Sequence, residues 1–180
     1  KNSSIPFTIG VTNLTDSTSE SYLAQDLDEV TFKQVLLAGA SPPMAFPPIE
    51  LMPGIFYGDS GVCNNFRAGD SLKAGAESII ILSPTTAEKH VTKNIFSMFD
   101  ILSSVPMYTD LEREVGFIEK INEIQATHDN LKHIELCVVK PSAPTGVSLL
   151  DFDYKGKDRQ KLWSEAYLFA LEKLQEFKNR

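Results

Sequence analysis

The stretch E-S-I-I-I-L-S, Glu77 to Ser83, sets three isoleucines and a leucine side by side, with Gly75 before it and Pro84 after it. A short apolar run rich in β-branched residues and bounded by turn formers is the pattern of a strand buried on both faces. Two further runs share that character, I-P-F-T-I-G-V-T-N-L from Ile5 to Leu14 and K-H-I-E-L-C-V-V-K from Lys132 to Lys140. The segments between them follow a helical period instead. Asp26 and Asp28 suit the start of a helix, where carboxylates complement the dipole, and Val30, Val35, Leu36 and Leu37 supply its apolar side. Pro42 and Pro43 end it by Ser41, and the following S-P-P-M-A-F-P-P-I-E-L is irregular or extended. Phe66 to Ala74 predicts a short helix. Thr85 to Leu102 and Tyr108 to His128 predict two amphipathic helices split at Pro106, the second presenting Leu111, Val115, Ile118, Ile121, Ile124 and Gln125. Asp158 to Phe177 predicts a closing helix that turns Trp163, Tyr167 and Leu168 toward the core. Strands alternating with helices imply an α/β fold with a mainly parallel sheet covered on both faces.

The 180 residues match one ordinary domain, long enough to bury a core without metal or disulfide. A formal charge of −7 argues against a nucleic-acid surface, because phosphate binding needs clustered Lys and Arg. The densest basic patch, Y-K-G-K-D-R-Q-K from Tyr154 to Lys161, carries its own aspartate and reads as a solvated face. Cys63 and Cys137 form no metal-ligand spacing and read as free thiols, with a single disulfide as the alternative. No apolar run approaches the roughly 20 residues that span a bilayer, so no transmembrane segment is expected. Sequons at Asn2 and Asn13 would matter only in a eukaryotic secretory setting.

Candidate chemistry concentrates in I-F-Y-G-D-S-G-V-C-N-N-F, Ile55 to Phe66. Read as the G-D-S-G of chymotrypsin-like proteases, it would make Ser60 a nucleophile, but that chemistry needs a histidine base in reach and an all-β double barrel. His90, His128 and His133 all lie downstream, and helices alternate with strands, so this reading fails. G-D-S-L at Gly69 to Leu72 spells a motif of the SGNH esterases, yet no D-x-x-H pair supplies a base, and Ser71 falls inside a predicted helix as a solvated residue. The remaining candidate is Asp59. A carboxylate closing a strand, in a turn fixed by glycine, is rigid and partly desolvated, which raises its pKa and makes it a better base.

The run V-L-L-A-G-A-S-P-P-M-A-F-P-P-I-E-L-M-P-G-I-F-Y-G-D-S-G-V-C-N-N-F-R-A-G-D-S-L-K-A-G-A-E-S-I-I-I-L-S resembles the patatin-like phospholipase family in the order and spacing of its parts. Those parts are small residues at Ala38 to Ser41, Phe46-Pro47-Pro48, Asp59-Ser60-Gly61, Asn64-Asn65, Gly75-Ala76 and the strand Ile79 to Leu82. I-P-F-T-I-G-V-T-N-L is similar to the strand before that block, and G-V-S-L-L-D-F with the closing helix to the end of the domain. The resemblance implies a three-layer α/β/α sandwich, of which residues 1–180 are the C-terminal portion of one domain. It also implies hydrolysis of lipid acyl esters by a serine whose only partner is an aspartate, here Asp59. No cofactor or metal is implied. Gly61 would allow a positive φ and a tight turn behind Asp59. Asn64 and Asn65 would support the loop. Ser60 stands where the family usually has glycine, and a positive φ there would cost on the order of 1 kcal/mol. Arg67 stands where the family often has proline.

The family's G-x-S-x-G elbow is missing, since G-A-S-P-P and G-D-S-L-K both lack the last glycine, and no Gly-Gly pair offers an oxyanion loop. Both elements lie upstream in the family, and the chain opens almost at once on the strand that begins at Ile5. The expectation is a chain that carries the aspartate, receives serine and oxyanion loop from an upstream segment, and is inactive alone. The partners expected are that segment and a lipid or acyl-ester substrate, in the cytoplasm or as a secreted effector acting in a host cytoplasm. The alternative is a non-catalytic α/β module that binds lipid or protein.

Overall fold

A computed structural model describes residues 5–43, 45–84, 95–127, 132–141 and 157–179. Asn2, Met44, His90, His128, the start of the helix expected from Thr85, and the G-V-S-L-L-D-F segment lie outside the described residues. The chain is mixed α/β and divides into two compact units, Lys1–Arg67 and Ala68–Arg180.

In the first unit, strands β1 (Thr8–Asn13), β2 (Thr18–Leu23), β3 (Ile49–Met52) and β4 (Ile55–Asp59) form one sheet in the order β2-β1-β4-β3. Every neighbour in it is antiparallel, which corrects the mainly parallel sheet expected from the sequence. The physical reason is a pair of hairpins. Asn13 Oδ1 accepts the N–H groups of Thr15 (3.1 Å) and Asp16 (3.0 Å), and the loop closes through Ser17 at φ 58°. Pro53-Gly54 makes the second turn, with Gly54 at φ 77° as a type II turn requires and its N–H donated to Glu50 Oε1 at 2.6 Å. β2, T-S-E-S-Y-L, is invisible to a search for apolar runs because no residue in it is fully buried.

Helix α1 (Glu29–Gly39) begins at Asp28, whose Oδ1 accepts the N–H groups of Val30 (2.8 Å) and Thr31 (2.9 Å). Of the expected apolar side, Val30, Leu36 and Leu37 are exposed, whereas Val35 is buried as expected, joined against the sheet by buried Ala38 and half-buried Phe32. They meet Ile9, Val11 and Tyr57, and the end of the helix comes so close that a Cβ on Gly39 would lie 2.6 Å from the Gly10 carbonyl oxygen.

The second unit holds helix α2 (Ala68–Lys73), strand β5 (Ser78–Leu82), helix α3 (Ile95–Gln125), strand β6 (Glu135–Val139) and helix α4 (Lys157–Lys178). β5 and β6 pair in parallel, from Ser78 with Glu135 to Leu82 with Val139. β5 is buried on one face only, through Ile79 and Ile81, while Ile80 and Leu82 are exposed. The break expected at Pro106 does not occur, and α3 runs through it for 31 residues. Proline removes one helical N–H, a local penalty of about 3 kcal/mol that the burial of Leu111 and Ile118 on the same helix offsets. Asn122 imitates a strand residue, donating Nδ2 to the Ile134 carbonyl (2.9 Å) and accepting the Ile134 N–H (2.8 Å), which pins the approach to β6. On α4, Trp163, Tyr167 and Leu168 are exposed rather than core, and Leu162, Phe169, Leu174 and Phe177 are half-buried instead. Among the described residues no helix is long and apolar enough to cross a membrane, and no group of His, Cys, Asp or Glu could hold a metal ion.

Candidate functional site

The motif singled out in the sequence falls in the first unit, where β4 ends. Asp59 is its last residue, opposite Val11 of β1 in the ladder. Its backbone is fixed on both sides. The Asp59 N–H donates to the Ser41 carbonyl at 3.0 Å, and its carbonyl accepts the hydroxyl of buried Thr12 at 2.8 Å. Placement of this carboxylate therefore depends on strand β1, on the turn after α1 and on β4 together.

The side chain is held as firmly as the backbone. Asp59 Oδ1 accepts the Gly61 N–H at 2.7 Å and caps a 3-10 turn, Ser60–Val62. Oδ2 accepts no hydrogen bond from any described residue. Burial pushes the carboxyl above its ordinary range, and the Gly61 N–H partly offsets this by favouring the charged form. The result is a half-buried carboxylate with one oxygen engaged and the other open to a donor.

Gly61 is favoured here by close packing rather than by the positive φ expected. Its φ is not positive, but a Cβ on it would lie 2.5 Å from Asn65 Oδ1 and 2.8 Å from Asp59 Oδ1. The two side chains close over the bare Cα. Ser60 likewise avoids a positive φ, so the strain anticipated for a non-glycine residue there does not arise. Its hydroxyl makes no hydrogen bond among the described residues, and no imidazole or carboxylate activates it. Asn64 Oδ1 accepts the N–H groups of Phe66 (3.1 Å) and Arg67 (3.0 Å), and Asn65 Nδ2 donates to the Gly61 carbonyl at 3.3 Å. Cys63 is half-buried and free.

Arg67 is more deeply engaged than its place in the sequence suggests. It has φ 49°, a left-handed conformation that a proline could not adopt, and its side chain lies across Gly10 of β1. Its Nη1 donates to Ser21 Oγ (2.5 Å), and its Nη2 to Ser19 Oγ (2.7 Å) and to the Val11 carbonyl (3.2 Å). The signal that could have found it is Gly10 itself, since a lone glycine inside a strand marks a close approach.

A second polar group lies on the same sheet face as Asp59, because Glu20 also pairs with Val11, from the other side. Glu20 accepts from Tyr22 OH (2.7 Å) and Asn13 Nδ2 (2.9 Å), and the Tyr22 and Tyr57 rings meet edge to face at 6.5 Å. Burial, then the Tyr57 and Glu20 hydrogen bonds, push the Tyr22 hydroxyl above its usual range. Asn13 is buried with both amide atoms bonded, so the sequon there presents no free acceptor nitrogen. The other serine candidate, Ser71, is exposed on α2 in the second unit, and His133 is exposed ahead of β6. No protein-family model matches the chain, and no curated protein matches it at a significant level.

Proposed function

We propose that this chain carries the aspartate base of a serine–aspartate acyl hydrolase acting on lipid esters, of the patatin-like kind that its sequence resembles. The observation that supports the reading is the asymmetry of Asp59, with Oδ1 and both backbone groups engaged and Oδ2 open. A general base must hold an acceptor within about 2.6–3.2 Å of the hydroxyl it deprotonates, with its pKa raised toward working pH. Oδ2 is that acceptor, and burial supplies the shift. The reacting hydroxyl would attack the ester carbonyl as Oδ2 takes its proton, and the same proton would then pass to the leaving alcohol.

Neither Ser60 nor Ser71 fits the nucleophile, and the 180 residues contain no G-x-S-x-G. On this reading the serine and its oxyanion donors are supplied by a segment outside these residues, and the chain is part of a three-layer α/β/α domain. The substrate class is phospholipid, lysophospholipid or a related acyl ester. A second reading has one observation in its favour: the Gly61 N–H bond is also what an aspartate with only a capping role would make. In that case the module binds lipid or protein without catalysis.

The test is hydrolysis of phosphatidylcholine vesicles by protein in which a G-x-S-x-G segment precedes these residues, with Asp59→Asn beside it. The reading expects kcat to fall by about a thousandfold or more with KM little changed, since asparagine retains the cap but takes no proton. The 180 residues alone are expected to take no fluorophosphonate label. Unchanged turnover in Asp59→Asn would leave the capping role alone standing.

A further inference from the structure

The loop that follows Asp59 starts and finishes at one point of the sheet. Asp59 leaves β4 opposite Val11, and Arg67 brings the chain back to the carbonyl of the same Val11. The guanidinium does more than touch that carbonyl. Ser19 and Ser21 are two apart on β2, hence on one face, and their hydroxyls accept from different nitrogens of one planar fork. The fork reaches them only because Gly10 has no side chain, as a Cβ there would overlap Arg67 Nε. Gly10, Ser19 and Ser21 thus suit this one side chain, although its left-handed backbone ordinarily favours glycine.

We propose that Arg67 is the positioning residue of the Asp59 site, a clasp that closes residues 60–66 onto β1 and β2. The inference rests on reading Asp59 as the reacting group. The link runs through bonds already described. Asn64 Oδ1 receives the Arg67 N–H, Asn65 grips the Gly61 carbonyl, and the Gly61 N–H orients Oδ1 of Asp59. Opening the clasp leaves β4 in place but frees the Gly61 amide, and with it the direction of the carboxylate.

The experiment is an NMR titration and hydrogen-exchange measurement on the isotopically labelled chain, comparing the wild type with Arg67→Gln, Arg67→Lys and Gly10→Ala. The Gly61 amide reports the ionisation of the carboxylate it bonds, and the amides of Ile9 and Val35 report the core. Gly10→Ala expels the guanidinium without altering any charge. It and Arg67→Gln are expected to reduce the pH-dependent shift of the Gly61 amide to roughly half or less and to speed its exchange about tenfold or more, with Ile9 and Val35 unchanged. Arg67→Lys keeps the charge but not the fork and is expected to fall between. A Gly61 amide that titrates and exchanges as in the wild type overturns the proposal, as does equal loosening of Ile9, Val35 and Gly61, which would make Arg67 a staple of the whole sheet. The readout follows an amide and a carboxylate rather than turnover, so loss of the acyl-hydrolase reading through the vesicle assay is a separate result.

Discussion

The two units use their polar side chains in different ways. In residues 5–67 they bond mainly to backbone: Asn13 winds a hairpin, Asp28 caps a helix, Thr12 holds the Asp59 carbonyl, and Asn64, Asn65 and Arg67 fix the loop beyond it. Among the described residues of the second unit the charged side chains pair with one another at the surface, as Lys132 does with Glu77, Lys140 with Glu112 and Lys173 with Glu176; backbone is bonded by Asn122 and by the hydroxyls of Thr109, Thr127 and Ser164, each of the three within its own turn of chain. Exposed pairs contribute at most about 1 kcal/mol each, whereas a side chain bonded to backbone determines where the chain goes. The first unit is thus built for placement of individual groups. The second depends on burial along α3 and on the β5–β6 pair.

That contrast breaks most readily in the second unit. Leu111 is fully buried on α3, and Leu111→Ala is expected to cost about 2–5 kcal/mol through lost burial and the cavity left behind. Urea unfolding with an unchanged slope measures it. A loss below about 1 kcal/mol would mean that burial on α3 is not what supports this unit.

In the first unit a smaller change should do more to the site than to the fold. Gly61→Ala puts a methyl against Asn65 Oδ1 and Asp59 Oδ1, both side-chain ends that can give way, so the expected loss is only about 1–2 kcal/mol. Relief of the overlap must nevertheless move the carboxylate or release Asn65. Loss of the Gly61 amide's pH-dependent shift at nearly full stability would sharpen the contrast between the units. A retained shift would show that the loop has slack the packing does not suggest.

How much of this is legible in the sequence depends on the kind of force involved. Runs such as Ile79 to Leu82 and helix stops such as Pro42-Pro43 declare themselves locally, and β5, β6, α1, α2 and α4 fall within a few residues of where the sequence puts them. Strand direction does not, because it is set by Asn13 and Pro53-Gly54, turn chemistry in segments without an apolar run. β2 stays hidden because a polar edge strand has no hydrophobic period. Pro106 misleads because its local penalty is weighed without the rest of a 31-residue helix. At the site, Asp59, Gly61, Asn64 and Asn65 are suggested only through the family resemblance, and the packing around Gly61 and the engagement of Arg67 with Gly10, Ser19 and Ser21 require three strands in register.

The smallest effect expected is also the one that best separates a poised base from a cap. Asp59 has a folded pKa above its unfolded value, so the folded chain binds the proton more tightly and stability falls as pH rises through that window. Well below about pH 4 the carboxyl is protonated in both states and the penalty vanishes, while above the folded pKa it is present in full. An amide in place of the acid can still accept the Gly61 N–H through its carbonyl oxygen but never carries the charge that burial disfavours. Asp59→Asn should therefore match the wild type in acid and gain slightly on it as pH rises toward neutrality. Denaturant unfolding of both proteins across that range gives the sign directly. A variant that instead loses stability relative to the wild type as pH rises would mean that the Gly61 hydrogen bond outweighs burial, and that the carboxylate sits in its turn as a cap stabilised by charge rather than as a base held ready to take a proton.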